Sequence, residues 1–267
     1  MTGPRFLSEP EPPRGVAFAV APGIRRLVAS NAGPMTYHGT NTYLIDGDVG
    51  VTVLDPGPDD AAHVADIIAQ AGGRIARILL SHRHPDHAGA LPAIAAATGA
   101  AVHAFAAGHD LRDGQRVGQW TALHTPGHAS DHLCFARDDG TVLTGDHVMS
   151  FSTSVVIPPD GDMAAYMAGL RRLLARDDVV FLPGHGPPIE NPRAFTEALL
   201  AHRVRREVAI LTAVRAAAQS QSAIVDALYP DLHERLRRAA EASVVAHLLK
   251  LRAEGLVERR NGFWSAV

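Results

Sequence analysis

The chain has 267 residues, of which 46% are hydrophobic and 20% charged, an ordinary composition for a soluble globular protein. This length allows one large domain, or a main domain with a small appendage. The formal net charge of −3 gives no argument for a polyanionic partner. Fifteen histidines against eight phenylalanines is an unusual balance, and it fits a metal-binding protein.

The distribution of charge along the chain suggests two modules. Residues 200–267 carry 11 Lys and Arg against 7 Asp and Glu, whereas the preceding residues carry 14 against 21. A basic C-terminal part therefore follows an acidic main body, although arginine-rich helices are often simply solvated.

Cys134 is the single cysteine, which excludes an internal disulfide and cysteine-rich zinc sites. It lies in an apolar run at 132–136 that predicts a buried strand. We therefore expect Cys134 to be structural.

The N-terminus leads into a Pro/Glu-rich stretch instead of an apolar signal segment. No run of about 18 apolar residues predicts a membrane span. We therefore expect a cytoplasmic protein without a membrane partner.

Apolar segments separated by glycine, proline and aspartate turns predict a series of strands and helices. The predicted strands are 24–28, 41–45, 51–55, 75–80, 101–105, 120–123, 133–136, 141–144 and 179–182. Helical spacing is found at 59–71, 89–98 and 164–174. This order favours a layered α/β arrangement in which helices cover the outer faces of the sheets.

The C-terminal part has the pattern of a winged helix. A helix is predicted from Pro192 to about residue 219, and further helical segments at 222–228, 232–240 and 242–253. The Asn261-Gly262 pair between 256–259 and 263–266 is a strong hairpin signal. We predict a main domain at 1–205 and a winged-helix-like domain at 206–267.

Residues 82–87 carry four potential metal ligands directly after the strand predicted at 75–80. The sequence there is His82-Arg83-His84-Pro85-Asp86-His87. Imidazole and carboxylate groups are ligands that zinc accepts. In an extended chain His82 and His84 project to one side, and a turn at Pro85 can direct Asp86 and His87 towards a neighbouring point. This layout favours two metal ions close together over a loop of solvated histidines.

Three later segments each place a further candidate ligand where a strand meets a loop. They are His128 after Pro126-Gly127, Asp146 after Gly145, and His185 between two glycines. Such positions allow several parts of the chain to converge on one cleft.

These segments resemble the metallo-β-lactamase superfamily, whose signature is a His-x-His-x-Asp-His run followed by a histidine, an aspartate and a final histidine. The match spans residues 24–190. The resemblance implies a four-layer αβ/βα sandwich with a dinuclear zinc site, two Zn²⁺ per chain, on its edge. It implies a first metal held by His82, His84 and His128, and a second held by Asp86, His87 and His185, with Asp146 bridging both.

The resemblance also implies a mechanism. A hydroxide between the two metals would be the nucleophile, because such pairs lower the pKa of bound water towards about 7. Asp86 would be catalytic, orienting the hydroxide or accepting its proton. Asp55 resembles an aspartate that supports the ligand histidines, and a simple turn residue before Pro56 is the equal alternative. Asp146 argues against a true β-lactamase, since those enzymes have cysteine or serine at this position.

Residues 39–44, Gly-Thr-Asn-Thr-Tyr-Leu, and the C-terminal winged helix resemble the β-lactamase-like protein 2 family. Its members include a mitochondrial single-strand endoribonuclease and fungal hydrolases of polyketide thioesters. The resemblance therefore implies a hydrolase of an ester, a thioester or a phosphodiester, with small molecules or single-stranded RNA as substrates and a homodimer as an assembly. His147 departs from the endoribonuclease, which has cysteine there, and we expect it either at the edge of the site or packed inside.

Two alternatives stay open. One is a mononuclear iron persulfide dioxygenase of the same fold. The other is a non-enzymatic nucleic-acid binder whose winged helix makes phosphate contacts; these would come from Arg235, Arg237, Arg238, Lys250 and Arg252. The remaining histidines are expected to be structural or exposed: His38, His63, His103, His109, His124, His132, His202, His233 and His247. Among them His132 is the best candidate for a supporting group near His128.

Overall fold

Two mixed β-sheets form the centre of the main domain. The computed structural model describes residues 4–105, 111–231 and 233–267, without the side chain of Arg235. His109 and the predicted helix start at Leu232 lie outside this part. The first sheet has six strands in sequential order: β1 (Phe18–Ala21), β2 (Ile24–Val28), β3 (Asn41–Ile45), β4 (Val51–Leu54), β5 (Ile75–Leu79) and β6 (Ala101–His103).

The second sheet has five strands in the reverse order, β11-β10-β9-β8-β7. They are β7 (Arg116–Val117), β8 (Trp120–His124), β9 (Leu133–Arg137), β10 (Thr141–Gly145) and β11 (Val180–Pro183). In the described part of the main domain, five helices accompany the sheets: α1 (Ala61–Ala71), α2 (Pro85–Ala88), α3 (Leu91–Thr98), α4 (Met163–Leu174) and α5 (Pro192–Ala216).

Within the described residues of the main domain, three hydrophobic cores lie between the four layers. Tyr43 and Leu54 of the first sheet meet Phe135 and Leu143 of the second in a central core. The opposite face of the first sheet packs on α1 and α3, where Ile67 is buried. The outer face of the second sheet packs on α4 and α5. The predicted four-layer α/β sandwich is therefore confirmed.

The strands that precede the candidate ligands all run towards one edge of the sandwich. β4 and β5 are parallel in the first sheet, and β10 and β11 are parallel in the second. Backbone contacts join the two sheets at this edge, where the Asn41 N–H donates to the Gly184 carbonyl over 2.8 Å. The loops that leave the ends of these strands therefore meet in one place.

The C-terminal part folds as a small unit with its own core. It contains β12 (Gln219–Ser220), α6 (Gln221–Leu228), a 3₁₀ turn (Glu234–Leu236), α7 (Arg237–Ala253), β13 (Val257–Arg260) and β14 (Phe263–Ala266). Trp264 is buried in this core. Asn261 and Gly262 both have positive φ, 50° and 87°, as a two-residue type I′ hairpin turn requires. The predicted winged helix is confirmed.

Several predicted boundaries were wrong. The segments predicted at 232–240 and 242–253 form one helix, α7, because nothing between Arg237 and Ala253 breaks it. The short edge strands β1, β7 and β12 were not predicted. α5 ends at Ala216, not near 219.

α5 is shared by the two units. Phe195 and Leu199 near its start pack in the core on the second sheet, whereas Ile210 and Val214 near its end pack in the winged-helix core. The predicted domain boundary at 205 lies within α5, and it stays a prediction about where one folding unit ends and the next begins.

None of the helices in the described part of the chain combines the length and apolarity that a membrane-spanning helix needs.

Neighbouring isoleucines of α1 test the packing of the first sheet. Ile67 is 0% exposed and Ile68 is 41% exposed. We expect Ile67→Ala to lower the free energy of unfolding by about 2–5 kcal/mol, because it leaves a cavity against the sheet. Ile68→Ala, the matched control, should cost less than about 1 kcal/mol. Urea denaturation measures both, and equal losses would contradict the layer assignment.

Candidate metal centre

Three imidazole nitrogens converge on one point at the edge of the sandwich. The His82 Nε2 atom lies 2.9 Å from His84 Nδ1, which lies 3.0 Å from His128 Nε2. His82 and His84 come from the loop after β5, and His128 comes from the loop after β8. The extended backbone expected at 82–84 thus places both histidines on one side, and the second sheet supplies the third.

A second group lies beside the first. Pro85 begins the one-turn helix α2, which carries Asp86 and His87. The His87 Nε2 atom lies 3.2 Å from His185 Nε2, and His185 Nε2 lies 3.3 Å from Asp86 Oδ2. The turn at Pro85 thus separates the six-residue cluster into two sets of candidate ligands, as the sequence predicts.

Asp146 connects the two groups through its two carboxylate oxygens. Its Oδ2 atom lies 3.6 Å from His128 Nε2. Its Oδ1 atom lies 3.4 Å from His87 Nε2 and 3.5 Å from His185 Nε2. All seven predicted ligands are therefore brought together, with Asp146 between the sets.

This donor set fits divalent cations. Three nitrogens form one set, two nitrogens and a carboxylate form the other, and each set is compact enough to surround one ion. The buried Asp146 Oδ1 atom has no hydrogen-bond partner among the described residues. A Cβ atom at Gly184 would lie 2.5 Å from this oxygen and 2.7 Å from His87 Cε1, so only glycine leaves room beside the carboxylate.

The pKa values of the histidines shift in opposite directions in the two sets. Burial lowers the pKa of His82 well below its usual range and also lowers that of His128. Burial opposes charge on His185 too, but the Asp146 carboxylate outweighs it and raises the pKa of His185 to about 9. Asp146 and Asp55 likewise raise the pKa of His87 well above its usual value. A cation bound beside Asp146 would therefore replace protons already attracted to this position.

Asp55 supports one histidine of each set. It follows β4 with a φ of 50°, a left-handed conformation that aspartate tolerates. Its carboxylate accepts hydrogen bonds from the Ser81 N–H (2.7 Å), the Ser81 hydroxyl (2.6 Å) and His87 Nδ1 (2.9 Å). His82 Nδ1 in turn donates to the Ser81 hydroxyl over 3.0 Å. Of the two roles considered for Asp55, the structure favours support of the ligands.

His132 supports Asp146 and not His128. Its Nδ1 atom lies 3.0 Å from the Thr125 hydroxyl, and its Nε2 atom accepts the Asp146 N–H over 3.1 Å. His128 is held instead by the Val155 carbonyl, 2.6 Å from its Nδ1 atom. The supporting role predicted for His132 is thus directed at the neighbouring ligand.

Three side chains that sequence reasoning did not connect with the metal centre hold the loop of His185. The Asn41 amide donates to the carbonyls of Pro183 and Gly186, each over 2.9 Å. The Tyr43 hydroxyl donates to Pro183 over 2.8 Å, and buried Arg26 donates to Gly186 over 3.0 Å. Asn41 and Tyr43 belong to the Gly-Thr-Asn-Thr-Tyr-Leu motif, which was the available signal.

His147 packs inside the main domain. Its side chain is 0% exposed, and the centroid of its ring lies 4.9 Å from the ring centroid of Tyr166. Burial and the nearby His128 lower the pKa of His147 to about 3. Of the two places considered for His147, the structure favours packing inside the domain. Cys134 is buried too, as predicted, and burial raises the pKa of its thiol to about 12.

Comparisons with known proteins identify the family. Residues 35–119 match the family described as metallo-beta-lactamase superfamily, and residues 220–264 match the beta-lactamase associated winged helix domain. The chain is 30% identical over 278 residues to the beta-lactamase-like protein 2 homolog of Drosophila melanogaster, covering 89% of this chain and 93% of the relative. The chain belongs to the metallo-β-lactamase superfamily.

Two further similarities refine this membership. The chain is 31% identical over 267 residues to an atrochrysone carboxyl ACP thioesterase of Paecilomyces divaricatus, covering 91% of this chain and 83% of the relative. A beta-lactamase domain protein from Burkholderia ambifaria has the same fold, with a TM-score of 0.83 at 22% identity over 96% and 95% of the two chains. The protein is thus a superfamily hydrolase with a C-terminal winged helix, and its fold implies divalent metal binding.

Asp55→Asn tests the support of both ligand sets. We expect metal affinity to fall by about 10- to 100-fold, the usual effect of removing a partner of ligating histidines. Competition with a chelating indicator measures this affinity, and circular dichroism checks folding. Asp59→Asn, which removes an exposed carboxylate four residues away, is the control. Equal metal affinities in the two variants would contradict this supporting role and leave Asp55 as a turn residue before Pro56.

Proposed function

We propose that this protein hydrolyses thioesters with the help of two zinc ions. The first set of ligands would be His82, His84 and His128, and the second would be Asp86, His87 and His185. Asp146 would serve both ions, and its position between the two sets is the observation that carries the proposal.

When bound, such a pair of ions lowers the pKa of a coordinated water and polarises the scissile carbonyl. The protein's own residues fix the geometry: Asp55 and Ser81 orient His87 and His82, and His132 holds the backbone of Asp146. Asp86 is 31% exposed at its side chain and would accept the proton of the attacking water. The water oxygen bonds to the acyl carbon, the carbon–sulfur bond breaks, and the thiolate takes up a proton.

Thioesters are favoured as the substrate class because a relative that matches 91% of the chain is named as an acyl carrier protein thioesterase. The single-stranded RNA substrate, the homodimer and the cytoplasmic location inferred from the sequence stay predictions. Asp86, His87 and His185 lie together as a second set of candidate ligands, which favours a dinuclear centre over the mononuclear iron dioxygenase.

Ion pairs within the protein argue against the alternative of a non-enzymatic nucleic-acid binder, because they occupy cations that would contact phosphates. Arg237 forms ion pairs with Asp226 (2.8 Å) and Glu241 (3.2 Å). Lys250 pairs with Glu207 (2.7 Å) and Glu254 (2.8 Å). Two of the five cations expected to contact phosphates are therefore already paired, and the side chain of Arg235 lies outside the described residues.

Asp146→Asn tests the proposed centre. We expect zinc content to fall from two ions per chain towards one, because a neutral amide is a poor shared ligand. We expect kcat/KM for a short acyl thioester to fall by more than about 100-fold, beyond the effect of losing a supporting partner. Metal analysis and thiol release measure the two quantities.

Asp177→Asn, at a side chain that is 99% exposed, is the matched control and should retain both properties. Hydrolysis that survives Asp146→Asn and removal of zinc by a chelator would overturn the proposal. One zinc per chain in the fully active protein would overturn its dinuclear form.

A further inference from the structure

A groove lies between the main domain and the winged helix, beside the candidate metal centre. Its cavity measures about 280 Å³, near the lower end of small-molecule pockets, about 300–1,000 Å³. One wall comes from the loop 151–155, a second from α5, and a third from the beginning of α7 and the end of α6. The winged helix therefore forms part of its lining.

The loop 151–155 is common to the groove and the metal centre. The Val155 carbonyl accepts a hydrogen bond from His128 Nδ1, and the ring centroid of Phe151 lies 6.5 Å from that of His185. Both Val155 and Phe151 line the groove. A substrate whose scissile bond reached the metal centre could therefore extend one end into this groove.

Arg203 places a buried positive charge in the wall. Its side chain is 3% exposed and donates hydrogen bonds to the Ser154 carbonyl and the Ser243 hydroxyl. Its guanidinium also lies 5.2 Å from the ring centroid of Tyr166. Among the described residues, its Nε–H has no hydrogen-bond partner and no carboxylate lies within ion-pair distance. Because an unpaired buried charge is costly, this position favours binding of an anion.

Arg206 lies one helical turn further along α5, on the same face, and also lines the groove. Its guanidinium lies 4.2 Å from the ring centroid of Tyr229 and donates to the Leu228 carbonyl over 3.2 Å. These contacts with the winged helix orient the guanidinium and leave its other N–H donors without a hydrogen-bond partner among the described residues. Burial and the charges of Arg203, Arg206 and Arg205 together lower the pKa of His202, in the same wall, to about 4.

The other lining residues are mostly apolar. Phe6, Met35 and Leu236 line the groove and are 41%, 45% and 40% exposed, and Phe151, Ala239 and Ala240 also line it. An apolar chain that ends in an anionic group would match both features of this lining. A nucleic-acid strand would instead require a groove lined by cations along its length.

We propose that this groove binds the anionic end of the thioester substrate, with Arg203 and Arg206 as its binding residues and the winged helix as its wall. The anion is either a carboxylate on the acyl group or a phosphate on the thiol part. This inference rests on the proposed thioesterase function, and it assigns the winged helix a role in substrate selection.

The test compares three thioesters on the full-length zinc-loaded protein. Pentanoyl-pantetheine has no anionic group, glutaryl-pantetheine has a carboxylate on the acyl side, and pentanoyl-coenzyme A has phosphates on the thiol side. We expect kcat/KM to be about 10- to 100-fold higher for one anionic thioester than for the neutral one. Arg206→Met should reduce this preference to near unity, chiefly through KM.

Arg205→Met is the matched control, because it removes a neighbouring charge that does not line the groove. It should keep the preference of the unmodified protein. Equal kcat/KM for all three thioesters, or a preference that survives Arg206→Met, would overturn the inference. The substrate that loses its advantage identifies the side that carries the anion.

A binding measurement separates failure of this inference from failure of the proposed function. Calorimetry on chelator-treated protein would use coenzyme A and glutarate as probes. If no thioester is hydrolysed but one probe binds and loses at least tenfold affinity in Arg206→Met, the groove is an anion site and only the thioesterase function fails. Absence of binding, or tighter Arg206-dependent binding of a single-stranded RNA oligomer, would overturn the inference itself.

Discussion

The candidate site depends on the attraction between one buried carboxylate, Asp146, and the two imidazoles beside it at one edge of the sandwich. Asp146 is buried, and its carboxylate is stable there because His87 and His185 lie beside it and lower its pKa well below the usual range, despite the opposing effect of burial. The same carboxylate favours the charged form of both imidazoles. Protons and divalent cations compete for such a position, so the arrangement that stabilises the buried carboxylate also prepares a metal centre.

This attraction requires both sheets. The first sheet supplies Asp55 and the cluster 82–87, and the second supplies His128, Asp146 and His185. Parallel strands in each sheet end at the common edge, and Asn41 and Tyr43 fasten the loop of His185 to the first sheet. Rigid strands thus hold the ligands, and only short loops separate each ligand from a strand end. Loss of contact between the sheets would separate the two halves of the centre.

α5 and its Arg203 connect the winged helix to the loop that holds His128. The guanidinium of Arg203 reaches from α5 to the carbonyl of Ser154 and to Ser243 of α7. The loop that contains Ser154 also holds His128 through Val155. The C-terminal unit, for which nucleic-acid binding was one alternative, therefore lines the groove beside the candidate metal centre. Two of its cations, Arg237 and Lys250, are already paired with carboxylates.

Local sequence predicted the candidate ligands within 82–87 and their division into two sets, since Pro85 and the preceding strand end restrict where these side chains can point. It also determined the type I′ hairpin at Asn261-Gly262, because few residue pairs tolerate two positive φ angles. Only the tertiary structure decided what depends on distant contacts. His132 binds the Asp146 backbone, His147 is buried against Tyr166, and the two predicted helices after residue 232 form one. The groove was beyond sequence reasoning because Ser154, Arg203 and Ser243 are far apart in the chain, and only packing brings them together.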